Sequence, residues 1–262
     1  MLPFNCAPWL TRNTSIAVLA AGLAGCSSQP PATDVSCADI AYTVYDPAEP
    51  FNRGFFAFNR VVDDYALAPV ARGYRYSPDF FQTGVHNFVA NFGEPKVFIN
   101  DLLQGNPMRS ANTLGRFVLN TTVGVVGLID VSGMAGIPRH DADFGQTFGV
   151  WGIGNGPIVE LPLLGTSNSR DAVGRVLGFV VDPFGSNSDT VDTLATISTV
   201  GGFVDGRAEA LPLTDSLQKL PDYYSALRNV VAEHRAAYVA DGKQGSAQTT
   251  KPQCTGAPAD GF

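Results

Sequence analysis

Residues 46–65 read DPAEPFNRGFFAFNRVVDDY, and this stretch decides the fold. Its first four residues are typical of a helix start, with Asp46 as the N-cap, Pro47 in the first helical position and Glu49 three residues after the cap. Apolar side chains then recur at spacings of 4, 3, 4 and 3, which is one stripe of a helix. The stripe consists of Phe51, Phe55, Phe58, Val62 and Tyr65. The stretch therefore predicts an amphipathic helix with an aromatic face.

Three more amphipathic helices are predicted after a break at residues 69–78. The first carries a stripe of Phe81, Val85, Phe88 and Phe92. Glu94-Pro95 predicts the start of a shorter helix that ends at Gly105, and Asn106-Pro107 predicts the cap of the next. That helix has Leu114, Phe117, Val118 and Thr121 on one face. Four such helices in succession predict an all-α protein.

The centre of the chain differs in character, because glycine alternates with other residues there. Residues 144–149 predict a short helix, and residues 151–157 (WGIGNGP) predict one arm of a short glycine-rich hairpin, with residues 158–163 as the second arm. The glycine spacing is not G-x-G-x-x-G, and Pro157 lies where a phosphate-binding helix would begin. This stretch therefore does not indicate a dinucleotide site.

Helices return in the last third of the chain. Residues 166–171 are typical of a helix start, and that helix is expected to end before Asp182-Pro183. Residues 191–204 predict two short helices joined at Gly201-Gly202. A last helix is expected to begin near Asp222, and a polar tail follows Gly242.

The aromatic stripes allow two interpretations. Nine of the 17 phenylalanines fall between Phe51 and Phe98. The simpler interpretation is that the stripes pack against each other in a core. The alternative is that the helices lie in the plane of a membrane leaflet, with phenylalanine facing the acyl chains.

The N-terminus predicts export and lipidation. Residues 16–24 are apolar but shorter than the roughly 20 residues that span a bilayer. They lead into Leu23-Ala24-Gly25-Cys26, a lipobox in which Cys26 would become the acylated N-terminus. The alternative is an ordinary secretory peptide with a chance cysteine. We expect a signal peptide at 1–25, a lipidated tether at 26–41, a helical domain at 42–241 and a polar tail at 242–262.

Composition restricts the classes of function. Hydrophobic residues make up 45% of the 262-residue chain and charged residues 16%, and the net charge is -7. A negative chain is a poor match for phosphate backbones, so no nucleic-acid partner is expected. Cys37 and Cys254 remain after Cys26 is assigned to lipidation, and we expect a disulfide between them in an oxidising compartment, with two free thiols as the alternative.

No sequence pattern identifies a catalytic site, a metal site or a cofactor. His140-Asp141-Ala142-Asp143 offers metal-ligating side chains, but a solvated loop is the favoured interpretation. Ser167 and Ser169 lack the G-x-S-x-G context of a hydrolase nucleophile. A lipid hydrolase or acyltransferase remains an alternative, because distant residues can assemble a triad.

The ordered motifs resemble the VacJ/MlaA family of outer-membrane lipoproteins over about residues 46–238. Two features depart from the family pattern: Ile158 replaces the aromatic residue that usually follows Gly-Pro, and the Cys37 and Cys254 pair is not a general family feature. The matching residues are Asp46-Pro47, Glu49, Phe51-Asn52-Arg53, Asn87-Phe88, Asn91, Glu94-Pro95, Leu103-Gln104-Gly105, Pro107, Arg116-Phe117, Asn120-Thr121, Ile129-Asp130-Val131, Gly133-Met134-Ala135, Phe144-Gly145-Gln146-Thr147, Gly149, Gly152, Gly154, Gly156-Pro157, Leu161-Pro162 and Arg170-Asp171.

The resemblance implies a ring of amphipathic helices embedded in the inner leaflet of the outer membrane, around an amphipathic channel. It implies removal of misplaced phospholipid from the outer leaflet, delivery to a soluble periplasmic lipid-binding protein, and association with a trimeric porin. A purely structural envelope lipoprotein is a further alternative. The channel or lipid-contact candidates are Phe51, Asn52, Arg53, Phe55, Phe58, Asn59 and Asn91, although Asn52 and Arg53 would alternatively satisfy helix ends. The candidate hinges of a hairpin at the channel mouth are Gly149, Gly152, Gly154 and Gly156.

Overall fold

The computed structural model describes residues 44–181 and 188–244. Cys26, Cys37 and Cys254 lie outside the described residues, as do the signal peptide, the tether and residues 245–262. The described chain is mainly helical, so the all-α prediction is confirmed. The elements are α1 (Glu49–Val62), a π-helical turn (Asp63–Leu67), α2 (Ala68–Tyr74), α3 (Asp79–Leu103), α4 (Pro107–Thr122), α5 (Val131–Met134), α6 (Phe144–Val150), β1 (Ile158–Leu161), β2 (Gly165–Asn168), α7 (Ser169–Val180), α8 (Asp189–Leu217) and α9 (Tyr223–Gln244).

The first helix begins later than its sequence motif predicts. Its N-cap is Ala48, whose side chain makes no capping bond, and the proline in its first turn is Pro50. The Asp46 carboxylate instead accepts hydrogen bonds from Asn52, Tyr224 and Arg228, so the prediction that it caps the helix is wrong. A buried hydrogen-bonding network outweighs a local cap here.

Helix continues through two predicted breaks. Pro69 lies in the first turn of α2, where a missing N–H costs little, so the break begins only after Tyr74. Pro95 lies inside the 25-residue α3, so the prediction of a separate helix opening at Glu94-Pro95 is wrong. Packing of α3 against α4 and α8 compensates for the hydrogen bond that Pro95 cannot donate.

The predicted joint at Gly201-Gly202 lies inside α8, which is one helix of 29 residues. A Cβ atom on Gly202 would lie 3.1 Å from Val89 Cγ1, and one on Gly201 would lie 3.4 Å from Val89 Cγ2. The two glycines therefore allow α8 to approach α3 closely instead of separating two helices.

The short hairpin exists, but its strands differ from those predicted. β1 and β2 pair antiparallel, with Ile158 opposite Asn168 and Leu161 opposite Gly165. The prediction that residues 151–157 form one arm is wrong, because they form the loop between α6 and β1. The predicted helix at 144–149 is confirmed as α6. Residues 166–168 belong to β2, and α7 begins at Ser169 with Asn168 as its N-cap.

The apolar core is small and local. Ala68, Ala71, Ala208 and Leu211 form a buried cluster between α2 and α8, and Tyr74 packs against it. Elsewhere, polar and charged side chains outnumber apolar ones among the buried residues of the described chain. None of the described helices combines the length and the apolar character that crossing a membrane requires.

Candidate functional site

The aromatic stripe of α1 faces away from the protein. Phe51 is 76% exposed, Phe55 47% and Phe58 50%, whereas Asn52, which lies off the stripe, is 4% exposed. The interpretation of this stripe as packed core is therefore wrong. The candidate lipid-contact phenylalanines form an exposed apolar surface, which is the arrangement that suits an apolar surrounding.

The same arrangement, with apolar side chains exposed and polar side chains buried, recurs on α4. Leu114 and Val118 are about half exposed, while Arg109, Thr113 and Arg116 are buried. The loop after α4 adds further exposed aliphatic residues, namely Val123, Val125, Val126, Leu128 and Ile129. The stripe of α3 is divided, because Phe81 is exposed whereas Phe88 is buried with its ring 5.0 Å from that of Phe92.

Two predicted wall residues, Asn52 and Asn59, join α1 to the hairpin. Asn52 Nδ2 donates to the Ile158 carbonyl at 3.1 Å, and its Oδ1 accepts from the Glu160 backbone N–H at 3.0 Å. Asn59 Nδ2 donates to Glu160 Oε1 at 2.8 Å, and its Oδ1 accepts from the Leu163 backbone N–H at 2.7 Å. Asn52 therefore bonds to a strand rather than to a helix end.

Arg53 connects α1 to the start of α9. Its guanidinium donates to Glu49 Oε1 at 2.8 Å and to Asp222 Oδ2 at 2.6 Å, and it lies 4.7 Å above the Tyr224 ring. The hydrogen bond from Arg53 holds the pKa of Asp222 well below its usual range. Because Arg53 is half-buried, part of it remains accessible.

Asn91 lies apart from these three residues, between α3 and α4. Its Nδ2 donates to Thr121 Oγ1 at 2.9 Å, and its Oδ1 has no partner within the described residues. Gly127 approaches it closely, because a Cβ on Gly127 would lie 2.5 Å from Asn91 Cβ. The structure therefore brings together Asn52, Arg53 and Asn59, but not Asn91.

The four candidate hinge glycines lie in α6 and in the loop before β1. Gly149 packs inside α6, where an added Cβ would approach Val239 and Arg170. Gly152 and Gly156 have positive φ values of 87° and 65°, which favour glycine. Gly154 is also in this loop. A hinge role for them stays a prediction.

Buried ion pairs form the polar interior. The Arg116 guanidinium donates to Glu94 Oε1 at 3.0 Å, to the Ile137 carbonyl at 2.6 Å and to Asp130 Oδ1 at 3.0 Å. Burial raises the pKa of Glu94, although Arg116 opposes the shift. These contacts fix α4 to α3 and to the segment that leads into α5.

A second network joins α9 to the centre of the chain. Arg235 donates to Asp143 Oδ2 and to Asp171 Oδ2, both at 2.7 Å. Burial alone would raise the pKa of Asp143, but hydrogen bonding to Arg235 holds it below the ordinary value. At this point α6 and α7 touch through Gly145 and Gly174, which leave no room for a side chain.

The predicted loop is present at His140, but His140 itself is buried, so the expectation that it is solvated is wrong. Its Nε2 lies 2.9 Å from both carboxylate oxygens of Asp101, which also accepts from Thr113 Oγ1 at 2.8 Å. Ser167 and Ser169 donate to the backbone carbonyls of Asn168 and Asn155, respectively. These bonds are structural contacts.

Sequence reasoning missed one polar cluster, formed by His86 of α3 and by Asp205 and Glu209 of α8. One ligand atom from each residue lies within 4.8 Å of the other two, a spacing compatible with a metal ion. A cavity of about 330 Å³ adjoins the cluster. The only sequence signal is the four-residue spacing of Asp205 and Glu209, which places both carboxylates on one side of a helix.

Comparison with known proteins gives a consistent result. The family model described as MlaA lipoprotein matches residues 44–238. The intermembrane phospholipid transport system lipoprotein MlaA of Escherichia coli (strain K12) is 34% identical, covering 75% of this chain and 79% of that protein. The protein of the same name from Haemophilus influenzae is 30% identical, covering 89% of this chain and 92% of that protein.

A solved structure is also similar. It comes from work on the structural basis for maintenance of bacterial outer membrane lipid asymmetry, and it matches with a TM-score of 0.64 at 34% identity. The match covers 74% of this chain and 98% of that one.

Proposed function

The chain belongs to the MlaA lipoprotein family, and we propose that it removes misplaced phospholipid from the outer leaflet of the outer membrane, which maintains lipid asymmetry. The observation that carries the proposal is the inverted amphipathicity of the helices. Aromatic residues of α1 are exposed, whereas asparagine, arginine and carboxylate side chains are buried. A water-exposed protein gains nothing from this arrangement, but a protein whose helices lie in a leaflet does.

Phospholipid passage follows from the same division of surfaces. Acyl chains would follow the exposed apolar surface, while the head group would cross along polar side chains, which lowers the cost of moving a charge through hydrocarbon. Of the predicted wall residues, Arg53 and Asn59 are half-buried and are the better candidates for head-group contact. Asn52 and Asn91 are almost fully buried and would support the wall from behind.

The proposal includes the chain outside the described residues. Cleavage after residue 25 would leave an acylated Cys26 on a tether that ends near residue 41. The folded domain, residues 42–241, would then lie on the periplasmic side, in the inner leaflet of the outer membrane. A disulfide between Cys37 and Cys254 would connect the tether to the C-terminal tail.

Two partners complete the proposed route. A trimeric porin would hold the protein in the membrane, and a soluble periplasmic lipid-binding protein would receive the phospholipid. The asymmetric distribution of lipid drives the transport, so neither a nucleotide nor a cofactor is required. We infer transport in place of catalysis.

The test is outer-leaflet phospholipid labelling in a deletion strain. We expect the deletion to raise surface phospholipid and the wild-type gene to restore it. Phe58→Asp should fail to restore asymmetry, because it places a charge in the exposed stripe, whereas Phe58→Leu should succeed.

The alternatives give different results in the same strains. A purely structural lipoprotein would leave labelling unchanged on deletion. A hydrolase or acyltransferase would release fatty acid or lysophospholipid from phospholipid when purified, and the proposal requires that neither product forms.

A further inference from the structure

A charged cavity lies between α2, α3 and α8, away from the contacts of Asn52, Arg53 and Asn59. It has a volume of about 330 Å³, which is in the range that accommodates a small organic group and larger than a single ion needs. The polar side chains that line it are Tyr74, Arg75, Gln82, Thr83, His86, Asp205 and Glu209.

Two carboxylates of the cavity lining converge on His86. Asp205 Oδ1 accepts a hydrogen bond from the Tyr74 hydroxyl at 2.9 Å, and Asp205 Oδ2 lies 2.9 Å from His86 Nδ1. Glu209 Oε1 lies 3.2 Å from the same nitrogen. Asp205 is largely buried, whereas Glu209 is exposed.

The hydrogen bonds determine which nitrogen of His86 carries the proton. Arg139 Nη1 lies 3.1 Å from His86 Nε2, and a guanidinium can only donate. Nε2 must therefore accept, which leaves the proton on Nδ1, where it is donated to Asp205 Oδ2. His86 Nδ1 thus lies between the carboxylates of Asp205 and Glu209 and bonds to the first of them.

The same geometry argues against a metal ion on His86. A metal bound to Nδ1 would displace its proton, and a neutral ring would then carry its hydrogen on Nε2, facing the Arg139 donor. An ammonium group avoids this conflict. It offers N–H donors to both carboxylates and leaves the proton on Nδ1 in place.

The cavity lining also includes Arg75, a cation that suits an anion. Arg75 is exposed and forms no ion pair with any residue of the described chain. Phe80 is 79% exposed and Phe81 is about half exposed, and both directly precede Gln82 of the cavity wall. The cavity lining thus combines carboxylates with an arginine that has no ion pair in the described chain, and two exposed phenylalanines precede Gln82 in the sequence.

We propose that this cavity binds the head group of a zwitterionic phospholipid with a primary amine, such as phosphatidylethanolamine. The ammonium contacts Asp205 and Glu209, the phosphate contacts Arg75, and the acyl chains lie along Phe80 and Phe81. The inference rests on the proposed lipid-transport function, which it extends by naming a head-group class.

Binding of short-chain lipids to the purified full-length lipoprotein in detergent tests this inference. The probes are dihexanoyl phosphatidylethanolamine, phosphatidylcholine and phosphatidylglycerol, measured by isothermal calorimetry. Wild type should bind the ethanolamine lipid most tightly, because only its head group donates N–H hydrogen bonds.

Two variants test the proposed ammonium contact and the proposed phosphate contact separately. Asp205→Asn with Glu209→Gln should weaken binding of phosphatidylethanolamine by about tenfold or more and leave that of phosphatidylglycerol unchanged. Arg75→Gln should weaken binding of all three lipids. Asp215→Asn is the matched control, because it removes an exposed carboxylate of the same helix that pairs with Arg72.

Three results would overturn the inference. Equal affinity of wild type for the three lipids is the first, and equal weakening of all three by the double carboxylate variant, with an unchanged melting temperature, is the second. The third is stoichiometric binding of Mn²⁺ or Zn²⁺ that Glu209→Gln abolishes. If the wild-type gene restores asymmetry but the purified protein shows no head-group preference, only this inference is contradicted. If the wild-type gene restores nothing, the proposed function itself is contradicted.

Discussion

Replacing Phe51, Phe55 and Phe58 together by alanine should reduce membrane binding without unfolding the protein. The background is a Cys26→Ser protein exported on a cleavable signal, so that acyl chains do not mask the effect. Wild type in this background should remain membrane-associated after a salt wash. The three exposed fractions, 76%, 47% and 50%, amount to somewhat less than two whole phenylalanine side chains.

The size of the effect follows from that exposed area. Burial of one phenylalanine side chain contributes about 1.5–3 kcal/mol, so the three together should contribute about 3–5 kcal/mol to partitioning into hydrocarbon. Membrane affinity should therefore fall roughly 10²–10⁴-fold. The free energy of unfolding should change by no more than about 0.5 kcal/mol for each site, because little packing is lost.

Phe88→Ala is the matched control, because Phe88 is 9% exposed and packs on Phe92. It should lower the free energy of unfolding by about 3–5 kcal/mol and leave the membrane affinity of the folded protein unchanged. Denaturant titration in a fixed detergent measures the free energy of unfolding, and liposome flotation measures the membrane affinity. The reasoning is refuted if the triple variant floats like wild type, or if it destabilises the fold as strongly as Phe88→Ala.

Arg116→Met leaves buried Glu94 unpaired and should lower the free energy of unfolding by about 3–5 kcal/mol. Adding Glu94→Gln should restore part of that loss. A denaturant double-mutant cycle measures the coupling, and additive effects would contradict a coupled pair. Gly174→Ala places a Cβ against the α6 backbone and should cost about 1–3 kcal/mol, whereas an unchanged melting temperature would show that the helices can separate freely. The pKa of Asp143 is held below its ordinary value of 3.8, so the contribution of Asp143 to stability is complete above that pH and is lost as pH falls through the folded pKa. Asp143→Asn should therefore flatten the acid limb of a stability-versus-pH curve. An unaltered acid limb would contradict a stabilising role of the Asp143 carboxylate. Gly154→Pro should reduce lipid clearance if the loop before β1 hinges, and normal outer-leaflet labelling in that variant would exclude the hinge.

Hydrophobic periodicity predicts the helices but not which face is buried. A stripe with helical spacing arises whether phenylalanine faces a core or a leaflet, because the period depends only on the helix. A second signal was available in α4, where Arg109, Thr113, Arg116 and Asn120 recur at spacings of 4, 3 and 4. A polar stripe that is as regular as the apolar stripe indicates that the polar face of the helix also makes specific contacts.

Local rules failed where tertiary contacts outweigh them. Pro95 is a helix breaker in isolation, and Gly201-Gly202 is a typical joint, yet each lies within a helix. The cluster of His86 and Asp205 joins residues 119 positions apart and depends on how α3 crosses α8. Spacing in the sequence carries no information about such a crossing.

The polar interior is understandable if the surroundings are apolar. In a leaflet, lipid tails compete for every apolar side chain, so helices gain specificity from close backbone approach and from hydrogen bonds. The contact of Gly145 with Gly174 provides the first, and the ion pairs of Arg116 and Arg235 provide the second. Each helix can therefore present phenylalanine outward without losing its position.

The same bonds restrict how the hairpin can move. Asn52 and Asn59 attach β1 and the turn after it to the helix that carries the exposed phenylalanines. A hairpin that swung alone would break four of these hydrogen bonds and expose Glu160, which is buried. A hinge in the loop before β1 would therefore have to move the hairpin and α1 together, which would couple opening of the loop to movement of the phenylalanine stripe.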